Sequence, residues 1–537
     1  MYKVLVSDPI SDTGLKALYD HEKFEVDKIT GLSASELKDI IGGYDALIVR
    51  SQTQVTEGIL ENADRLRVIA RAGVGVDNID IPAATKKGVI VINAPSGNTI
   101  SAAELAMAMM MSLARQIPQA HASASTGKWE RANFKGIEMY EKTLGVIGMG
   151  KIGTEVATRA KSFGMKILGY DPFLTEEKAE NLRITKATLD EIAKEADIIT
   201  LHTPLIKETR GLINDDYLAK TKKGVRIINC ARGGIVDEAA LLRALNSGHV
   251  AGAALDVFEQ EPSGNLELLS HPNVIVTPHL GASTVEAQEK VAIDVSKDII
   301  EIFETQSIRH AVNMPKMSGK TQQKLSPYIK LSEQIGDLAV QLLDKAPDKV
   351  DIKYYGELVK EDTDILTRTI TKSILSRHLG DGVNLINAPH LLKDQDVDLN
   401  VTKNSKTKGF ESYVEITLYR GEATSNVGAT ILSGYGERIV KMNDYIVDVR
   451  PEKNVLYITH HDIPGMIGQV GTTLGRFDIN IGTMQVGRSV IGGEAIMILT
   501  LDKIAENDVI TALKEIKGLS NAQFLELQGD LPVYSTK

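Results

Sequence analysis

Three charged or titratable side chains follow predicted strands in the middle of the chain. They are Arg232 in Asn-Cys-Ala-Arg-Gly-Gly, Glu261 in Phe-Glu-Gln-Glu-Pro, and His279 in Thr-Pro-His-Leu-Gly. Histidine titrates near neutrality, so it can accept a hydroxyl proton while hydride leaves the same carbon. A neighbouring carboxylate would hold its tautomer, and the planar donors of arginine match a substrate carboxylate. This set predicts oxidation of a secondary alcohol, with His279 as the base, Glu261 as its partner and Arg232 as the carboxylate clamp.

From chemistry alone, each assignment has a competitor. Glu259 lies two residues before Glu261 and could pair with the histidine instead. His202 also ends a predicted strand, where a packing or loop role is favoured over catalysis. Cys230 is interpreted as a small buried residue beside the cofactor, because no base is evident in its local sequence. A single cysteine allows neither an intrachain disulfide nor a multi-thiolate metal site, and no metal is expected.

A glycine-rich turn precedes these residues. The segment Gly148-Met149-Gly150-Lys151-Ile152-Gly153 lies between a predicted strand and a predicted helix, and Asp171 ends the next strand. The glycines allow a tight turn, close approach of a pyrophosphate and close helix packing, while the helix N-terminus favours the anion. Asp171 would bind ribose hydroxyls and repel a 2′-phosphate. NAD is therefore predicted over NADP, a preference that the Lys151 cation weakens.

The elements that would position these groups follow an α/β pattern. Short apolar runs, separated by polar or amphipathic segments, predict a first parallel sheet at 3–7, 46–49, 68–70 and 89–92. A second doubly wound sheet is predicted from runs at 144–147, 166–170, 197–202, 225–230, 251–256 and 274–277. The helix predicted at 101–116 is interpreted as buried in the core or in a subunit interface, because methionine fills apolar gaps.

A long amphipathic helix from 283 to about 305 is predicted to return to the first sheet, followed by a linker at 315–324. Beyond it, a segment with alternating patterns leads to a βαββαβ order from about 454, which is the ferredoxin-like arrangement. The predicted fold class is α/β: two doubly wound, Rossmann-like domains followed by an α+β intervening domain and a ferredoxin-like domain.

Composition excludes several kinds of partner. The 537 residues carry a formal net charge of -10, and no Lys/Arg block favours a nucleic acid or an anionic membrane. The N-terminus has no signal-peptide pattern, and no run approaches the roughly 20 apolar residues that span a bilayer. We expect a cytoplasmic protein.

Taken together, the motifs resemble the D-2-hydroxyacid dehydrogenase family. The resemblance rests on the glycine motif with Asp171, on Asn229–Gly234, on Ala254–Phe258 and on Pro278–Ser283. In that family the arginine, glutamate and histidine at these positions form the catalytic set. Arg71–Asn78 resembles the family's substrate-side loop, whose backbone amides meet the substrate carboxylate. The resemblance covers about residues 1–313.

The resemblance implies a discontinuous substrate-binding domain at 1–96 and 286–313, around an NAD-binding domain at 97–285. Cofactor domains usually pair in this family, so a homodimer or homotetramer is expected. Substrate contacts are implied at Gly73, Val74 and Gly75. Further NAD contacts are implied at Val74, Thr203, Cys230, Ala231, Arg232, Asp256, His279, Leu280, Gly281 and Ala282.

The C-terminal half resembles the long-form phosphoglycerate dehydrogenases of that family, with an intervening regulatory domain at 316–450 and an ACT domain at 454–530. This implies oxidation of 3-phospho-D-glycerate to 3-phosphohydroxypyruvate, the first step of serine synthesis. The phosphate would meet Arg50 with Ser51, Arg71 and Arg131, although each arginine taken singly suits a solvated surface. A glycerate or hydroxypyruvate reductase, and an amino-acid sensor with an inactive dehydrogenase part, remain alternatives.

The ACT resemblance rests on His460–Gly468, with Asn480 at the start of the following strand. Asp462 would take the ammonium of an amino acid, and the amides of 465–467 would take its carboxylate. The resemblance suggests L-serine as the ligand, at an interface between two copies, with Asn480 as a second contact and His460 nearby. The alternative is a unit that only assembles subunits.

Overall fold

The computed structural model describes residues 1–305, 308–315 and 319–527. Within them the chain forms four sheets, of five, seven, six and four strands. The predicted fold class is confirmed: two parallel α/β units precede a mixed α+β unit and a βαββαβ unit. The predicted bounds at 316 and 530, and residues 306–307 of the predicted return segment, lie outside the described residues.

The first sheet is built from β1 (Tyr2–Val6), β2 (Phe24–Lys28), β3 (Ala46–Val49), β4 (Val68–Arg71) and β5 (Ile90–Asn93). Its helices are α1 (Asp12–Tyr19), α2 (Ala34–Ile40), α3 (Glu57–Leu60) and α4 (Ile81–Lys86). All strands are parallel, in the order β2-β1-β3-β4-β5. The sequence prediction misses β2, because this edge strand mixes apolar and charged residues and fully buries only Phe24.

The second unit begins with α5 (Thr99–Arg115) and α6 (Ile117–Ser125). Its strands are β6 (Thr143–Ile147), β7 (Lys166–Tyr170), β8 (Thr185–Lys186), β9 (Ile198–Leu201), β10 (Val225–Asn229), β11 (Val250–Leu255) and β12 (Val274–Val276). Its other helices are α7 (Lys151–Ser162), α8 (Glu176–Leu182), α9 (Leu189–Glu195), α10 (Asp215–Ala219), α11 (Glu238–Asn246) and α12 (Leu266–Leu269). The strands are parallel, in the order β12-β11-β10-β9-β6-β7-β8.

The long helix α13 (Val285–Thr305) runs back to the first sheet and packs against α1. The two backbones approach closely, since a Cβ on Gly14 would lie 2.3 Å from Cβ of Ala292. The hydroxyl of Ser296 donates to the Gly14 carbonyl over 3.1 Å. The first sheet is therefore completed by a segment that follows the second sheet in sequence.

The C-terminal half begins with α14 (Gly319–Leu343), so the predicted linker at 315–324 is wrong from 319 onward. The polar composition of 319–324 hides the first helical turns, since the buried anchor Leu325 comes only after them. Residues 316–318 lie outside the described residues.

The third sheet has the order β14-β13-β15-β16-β17-β18. Its elements are β13 (Lys349–Gly356), α15 (Asp364–Leu379), α16 (Ala388–Asp394), β14 (Asp398–Asn404), β15 (Ser412–Arg420), β16 (Ala423–Leu432), β17 (Gly436–Met442) and β18 (Tyr445–Val449).

The fourth unit comprises β19 (Asn454–His461), α17 (Met466–Arg476), β20 (Ile481–Arg488), β21 (Glu494–Leu501), α18 (Asn507–Lys514) and β22 (Leu519–Glu526). One face of its sheet packs on α17 and α18. The other face shares a hydrophobic core with α14 and the third sheet, to which Tyr457, Ile498 and Leu525 contribute. The third and fourth units are thus joined by a shared hydrophobic core as well as by the chain that connects them.

No helix in the described parts of the chain is long and apolar enough to cross a membrane.

Candidate active site

A cleft of about 270 Å³ lies between the first and second sheets, at the carboxyl ends of the strands of the second. The chain order of that sheet reverses beside β6, where β9 becomes its neighbour. Doubly wound sheets bind ligands at such a switch point. The lining residues come from both halves of the catalytic region: Arg71, Val74, Gly75, Asn98, Ala102, Ile152, His202, Thr203, Pro204, Cys230, Ala231, Arg232, Asp256, His279, Gly281 and Ala282.

The glycine motif joins β6 to α7. Gly148 has a φ of 98°, and a Cβ there would lie 2.4 Å from the carbonyl oxygen of His202. A Cβ on Gly153 would lie 1.9 Å from the Gly148 oxygen. Gly150, in contrast, has no described atom within 4 Å of its Cβ position. The turn is therefore closed toward the sheet, and at Gly150 it is open toward a groove that Ser96 and Lys151 also line, which fits the approach of a pyrophosphate.

Asp171 follows β7, beside this turn. Its Oδ2 accepts a hydrogen bond from the Met149 amide over 2.9 Å, and its Oδ1 accepts one from the Phe173 amide over 2.9 Å. The carboxylate is thus fixed next to the glycine motif, with lone pairs left for ribose hydroxyls. Lys151 donates to the Ser96 hydroxyl and to the Pro95 carbonyl, at the connection between the two sheets.

Glu261 and His279 are brought together, with 2.7 Å between Oε2 and Nδ1. The other carboxylate oxygen of Glu261 accepts from the Phe258 amide over 3.1 Å. Partial burial alone would raise the pKa of Glu261, but the hydrogen bonds from His279 and Phe258 and the charges of His279 and Arg232 lower it below its usual value. Glu259 lies 3.3 Å from Arg210 instead, so it does not take the place of Glu261.

The loop that carries His279 is held by Asp256, which is fully buried. The Asp256 carboxylate accepts from the amides of Leu280 and Gly281, over 2.7 Å and 2.9 Å, and from the Thr277 hydroxyl over 2.6 Å. His279 itself has a φ of 56°, a left-handed conformation that is uncommon outside glycine and recurs at functional sites. Asp256 therefore fixes the backbone on which the imidazole is mounted, in addition to lining the cleft.

Arg232 reaches across the cleft to the loop between β4 and α4. Its Nε lies 3.1 Å from Oδ2 of Asp77, and its Nη1 donates to the Ala231 carbonyl over 2.7 Å. A Cβ on Gly75 would lie 2.1 Å from Nη2, so this glycine lets the guanidinium lie against the loop backbone. Asp77 is a site residue that the sequence analysis did not single out, although it lies within the loop Arg71–Asn78.

Arg71 adds a second cation to the same wall. Burial, followed by repulsion from Arg232 and Arg50, lowers the pKa of Arg71 to about 10. Its Nε is buried and has no hydrogen-bond partner in the described part of the chain. Burial also lowers the pKa of Arg50, whose backbone amide donates to Asp8 over 2.5 Å. A buried arginine that lacks a full set of partners suits an anionic ligand.

Some predicted contacts stand apart from the cleft. Ser51 is exposed beside Arg50, and Leu280 turns partly to solvent. A Cβ on Gly73 would lie 1.5 Å from Nη1 of Arg71, so this glycine makes room for that side chain rather than lining the cleft itself. Arg131 is exposed in a short 3-10 helix, Arg131–Asn133, outside the cleft of its own chain.

His202 and Cys230 line the cleft but are poorly suited to acid–base or nucleophilic chemistry. Burial lowers the pKa of His202 to about 4, so the imidazole is neutral at ordinary pH. Its Nε2 lies 2.9 Å from the Thr200 hydroxyl. Burial, and then the charge of Asp256, raise the pKa of the Cys230 thiol. A raised pKa disfavours the thiolate, as the sequence analysis expects for a small buried residue.

The predicted effector residues do not meet within one chain. Asp462 follows β19 and pairs with Arg488 over 3.1 Å, whereas the backbone amide of Asn480 donates to Asp502 over 3.0 Å. β19 and β20 both pair antiparallel with β21, so Asp462 and Asn480 lie at opposite ends of the sheet. All eight residues of β21 lie between the two positions, which is roughly 26 Å. A site that uses both residues therefore requires two copies.

Among the described residues, no group of three or more His, Cys, Asp or Glu side chains could hold a metal ion.

Three family models match the chain. They are the NAD-binding domain of D-isomer specific 2-hydroxyacid dehydrogenases at 107–281, the D-3-phosphoglycerate dehydrogenase intervening domain at 324–443, and the ACT domain at 454–518. D-3-phosphoglycerate dehydrogenase of Bacillus subtilis is 45% identical over 98% of this chain and 100% of its own length. The chain belongs to the D-3-phosphoglycerate dehydrogenase family. The enzyme of that name from Methanocaldococcus jannaschii is 44% identical, again over 98% of this chain and 100% of its own.

Solved structures resemble the catalytic half of this family member. The TT0316 protein of Thermus thermophilus is 33% identical, with a TM-score of 0.54, over 58% of this chain and 99% of its own. D-lactate dehydrogenase of Aquifex aeolicus, complexed with NAD and lactic acid, is 31% identical, with a TM-score of 0.51, over 58% of this chain and 100% of its own. The predicted family membership and the predicted cofactor, NAD, are confirmed by these matches together with the family models.

Proposed function

We propose that the chain oxidises 3-phospho-D-glycerate to 3-phosphohydroxypyruvate with NAD. The observation that carries this proposal is the position of the Glu261–His279 pair and Arg232 around one cleft, with the incompletely paired Arg71 in its wall. A general base, a carboxylate clamp and a further cation are what a phosphorylated 2-hydroxy acid requires. The names of the relatives support the same substrate.

The substrate carboxylate binds Arg232 and the amides of Val74 and Gly75, which line the cleft. Because Asp77 engages Nε of Arg232 and Ala231 engages Nη1, the Nη2 hydrogens remain free to point into the cleft. The planar guanidinium then holds the C2 hydroxyl toward His279. Asp77 is in this scheme a positioning residue for Arg232.

His279 removes the C2 hydroxyl proton through Nε2, since Nδ1 is bound to Glu261. The ionised Glu261 stabilises the imidazolium that results. When bound, NAD supplies the hydride acceptor for C2. Gly150 and the N-terminus of α7 would hold its pyrophosphate, and Asp171 its adenosine ribose.

The phosphate of the substrate binds Arg71, a half-buried cation in the cleft wall, and the neighbouring Arg50. Arg131 reaches a phosphate only from a second copy. We define residues 117–135 as the arm: α6 buries none of its side chains within the chain, and Trp129 is 83% exposed. An exposed segment of this kind favours a pair of copies in which the arm of one covers the other. The complete assembly is then a homodimer or a homotetramer.

The ACT unit binds L-serine at an interface between two copies, with Asp462 from one copy and Asn480 from the other. The positions of these residues at opposite ends of one sheet support the two-copy site. His460 lies beside Asp462 and is 2% exposed, with a buried Nε2 that has no partner in the described chain.

The domain bounds proposed are 1–96 with 286–313, 97–285, 316–450 and 454–530. The single cysteine supports a cytoplasmic location.

The test of the activity is the formation of NADH from NAD and 3-phospho-D-glycerate, followed by absorbance. We expect His279→Ala to lower kcat by roughly 10²–10⁴-fold while NAD binding persists, the range for loss of general base catalysis. His378→Ala, exposed in the last turn of α15 and outside the cleft, is the matched control. Absence of turnover in the wild type, or near-normal turnover in His279→Ala, would contradict the proposal.

A further inference from the structure

The last turn of α4 is held by two asparagines that lie in or next to the C-terminal half. Asn384, in the segment between α15 and α16, donates from Nδ2 to the Gly88 carbonyl over 2.9 Å. Asn313, on the segment that leads out of the first unit, donates to the Val89 carbonyl over 2.9 Å and to the Thr85 hydroxyl over 3.1 Å. These contacts hold the end of α4 and the turn that follows it, Asn384 from the intervening unit and Asn313 from the last residue of the first unit.

Gly88 is shaped for this contact. Its φ of 76° favours glycine, and a Cβ there would lie 2.4 Å from Nδ2 of Asn384 and 2.8 Å from Nδ2 of Asn387. A side chain at position 88 would collide with both side-chain amides, so the contact between Asn384 and Gly88 could not form in this geometry. The absence of a side chain at Gly88 therefore leaves the space that the Asn384 amide occupies, and the two units fit together at this point.

Asn384 is itself fixed to the intervening unit. Its Oδ1 accepts from the amides of Ile386 and Asn387, and its own amide donates to Oδ1 of Asn387 over 2.8 Å. Arg368 of α15 donates to the Leu385 carbonyl over 3.1 Å. Because the third and fourth units share one hydrophobic core, a displacement of the fourth unit is carried to this segment.

The other end of α4 leads directly into the cleft. Asp80 caps the helix by accepting from the Ala83 amide over 3.0 Å, and the loop at 71–80 precedes it. That loop contributes Val74 and Gly75 to the cleft wall and Asp77 to the ion pair with Arg232. A helix of six residues spans only about 9 Å, so it transmits a shift of its last turn with little loss.

We propose that the C-terminal half controls the substrate side of the cleft through the docking of Asn384 on the last turn of α4. In the docked state the loop at 71–80 holds Arg232 in the position in which it binds the substrate carboxylate. Release of the contact loosens the loop and weakens substrate binding, whereas the glycine motif that serves the cofactor is untouched. The substrate in this inference rests on the proposed function.

The test compares wild type with Asn384→Ala, with Asn400→Ala as the matched control. Asn400 belongs to the same unit and is exposed, and its side chain donates to Asp351 within that unit over 3.1 Å. We expect Asn384→Ala to speed hydrogen exchange across 71–93 and to raise KM for 3-phospho-D-glycerate about threefold to tenfold, with KM for NAD unchanged. Asn400→Ala should match wild type in all three.

A second pair of variants separates docking from simple destabilisation. Gly88→Ala should raise the same KM, and the double variant Gly88→Ala with Asn384→Ala should be little worse than either alone, because both remove one contact. Where L-serine inhibits the wild type, Asn384→Ala should reduce that inhibition without loss of serine binding by calorimetry.

Unchanged exchange and unchanged KM in Asn384→Ala would overturn the proposal, as would additive effects in the double variant or full serine inhibition in Asn384→Ala. A wild type that forms no NADH from 3-phospho-D-glycerate would instead overturn the proposed function, and hydrogen exchange would still decide whether Asn384 restrains the loop.

Discussion

Oε2 of Glu261 lies 2.7 Å from Nδ1 of His279, and this contact leaves Nε2 as the nitrogen that can face a substrate. Glu261 lies in the loop after β11 and His279 in the loop after β12, eighteen positions apart in sequence. The Phe258 amide holds the other oxygen of the carboxylate over 3.1 Å. The pair therefore has a fixed orientation before any ligand arrives.

The first prediction concerns the pH dependence of this pair. The pKa of Glu261 is lowered, so the carboxylate stays ionised throughout the usual assay range and does not itself produce the acid limb of the kcat/KM profile. The ionised carboxylate orients the imidazole and stabilises the imidazolium that forms when the substrate proton is taken. Glu261→Gln removes that charge at nearly constant size and should lower kcat/KM by roughly 10²–10⁴-fold across the assay range.

The measurement is kcat/KM from pH 5 to 9 for wild type, Glu261→Gln and the control Glu259→Gln. Glu259 pairs with Arg210 instead of the histidine, so its variant should keep the wild-type profile. A near-normal kcat/KM in Glu261→Gln, or an equal loss in Glu259→Gln, would show that the carboxylate has been assigned wrongly.

The second prediction concerns Arg232, whose Nε is engaged by Asp77 and whose Nη2 lies against Gly75. A lysine has one ammonium and cannot serve Asp77, the Ala231 carbonyl and a substrate carboxylate in one plane. Arg232→Lys should lower kcat/KM by about 10²-fold, the equivalent of about 2.7 kcal/mol. Arg210→Lys, at an exposed arginine outside the cleft, is the control, and equal losses in both variants would count against the clamp.

The proposed catalytic set could be singled out in the sequence because its residues lie in short, specific segments after strands. The glycine motif, Arg232, Glu261 and His279 are each marked by their immediate neighbours, and the fold class follows from the alternation of apolar runs. Asp77 and Asn384 could not be found in this way. Their partners lie 155 and 296 residues away in sequence, and nothing local marks such contacts.

The edges of elements were harder to predict for a physical reason. β2 and β8 are edge strands with little buried surface, so their sequences lack a continuous apolar run. The start of α14 is also polar, because residues 321–324 are exposed or only partly buried. The separation of Asp462 from Asn480 follows from the β19-α17-β20 crossover, which brings the chain back to the far end of the sheet before the second strand begins.

The third prediction concerns the effector. Asp462 is held by Arg488 and by the Gly492 amide, over 3.1 Å and 3.2 Å, so the carboxylate lies in a fixed position at the end of β19. L-Serine should give binding heat by calorimetry with the wild type, and at least tenfold weaker binding with Asp462→Ala, since an unpaired ammonium costs about 1.5–3 kcal/mol. Asp478→Ala, at the other end of the sheet, breaks only a surface pair with Lys503 and is the control.

Equal heats from wild type and Asp462→Ala would remove Asp462 from the site. Absence of heat from the wild type would leave the ACT unit without L-serine as its ligand.

The fourth prediction concerns acid stability of the intervening unit. Partial burial alone would raise the pKa of Glu415, but Lys408 and Lys441, at 2.9 Å and 2.8 Å, lower it to about 2. A depressed pKa stabilises the fold above the unfolded value near 4.5, and the contribution is lost as pH falls through about 2. Glu415→Gln should therefore be less stable at pH 7, by roughly 1–3 kcal/mol.

Urea unfolding at pH 7, 4.5 and 3 provides the check. The difference between wild type and Glu415→Gln should shrink toward pH 3, whereas the exposed Glu422→Gln should match wild type throughout. A difference that grows at low pH would have the opposite sign to the one expected.

The most direct measurement of the central claim is the ratio of kcat/KM for 3-phospho-D-glycerate to that for unphosphorylated D-glycerate, in the wild type with NAD. Arg71 lies between the charges of Arg232 and Arg50, and each charged hydrogen bond to a phosphate contributes about 1.5–3 kcal/mol. We predict a preference of at least about 10²-fold for the phosphorylated acid, one that falls in Arg71→Met. Equal rates, or a preference for D-glycerate, would contradict the assignment of this cleft to 3-phospho-D-glycerate.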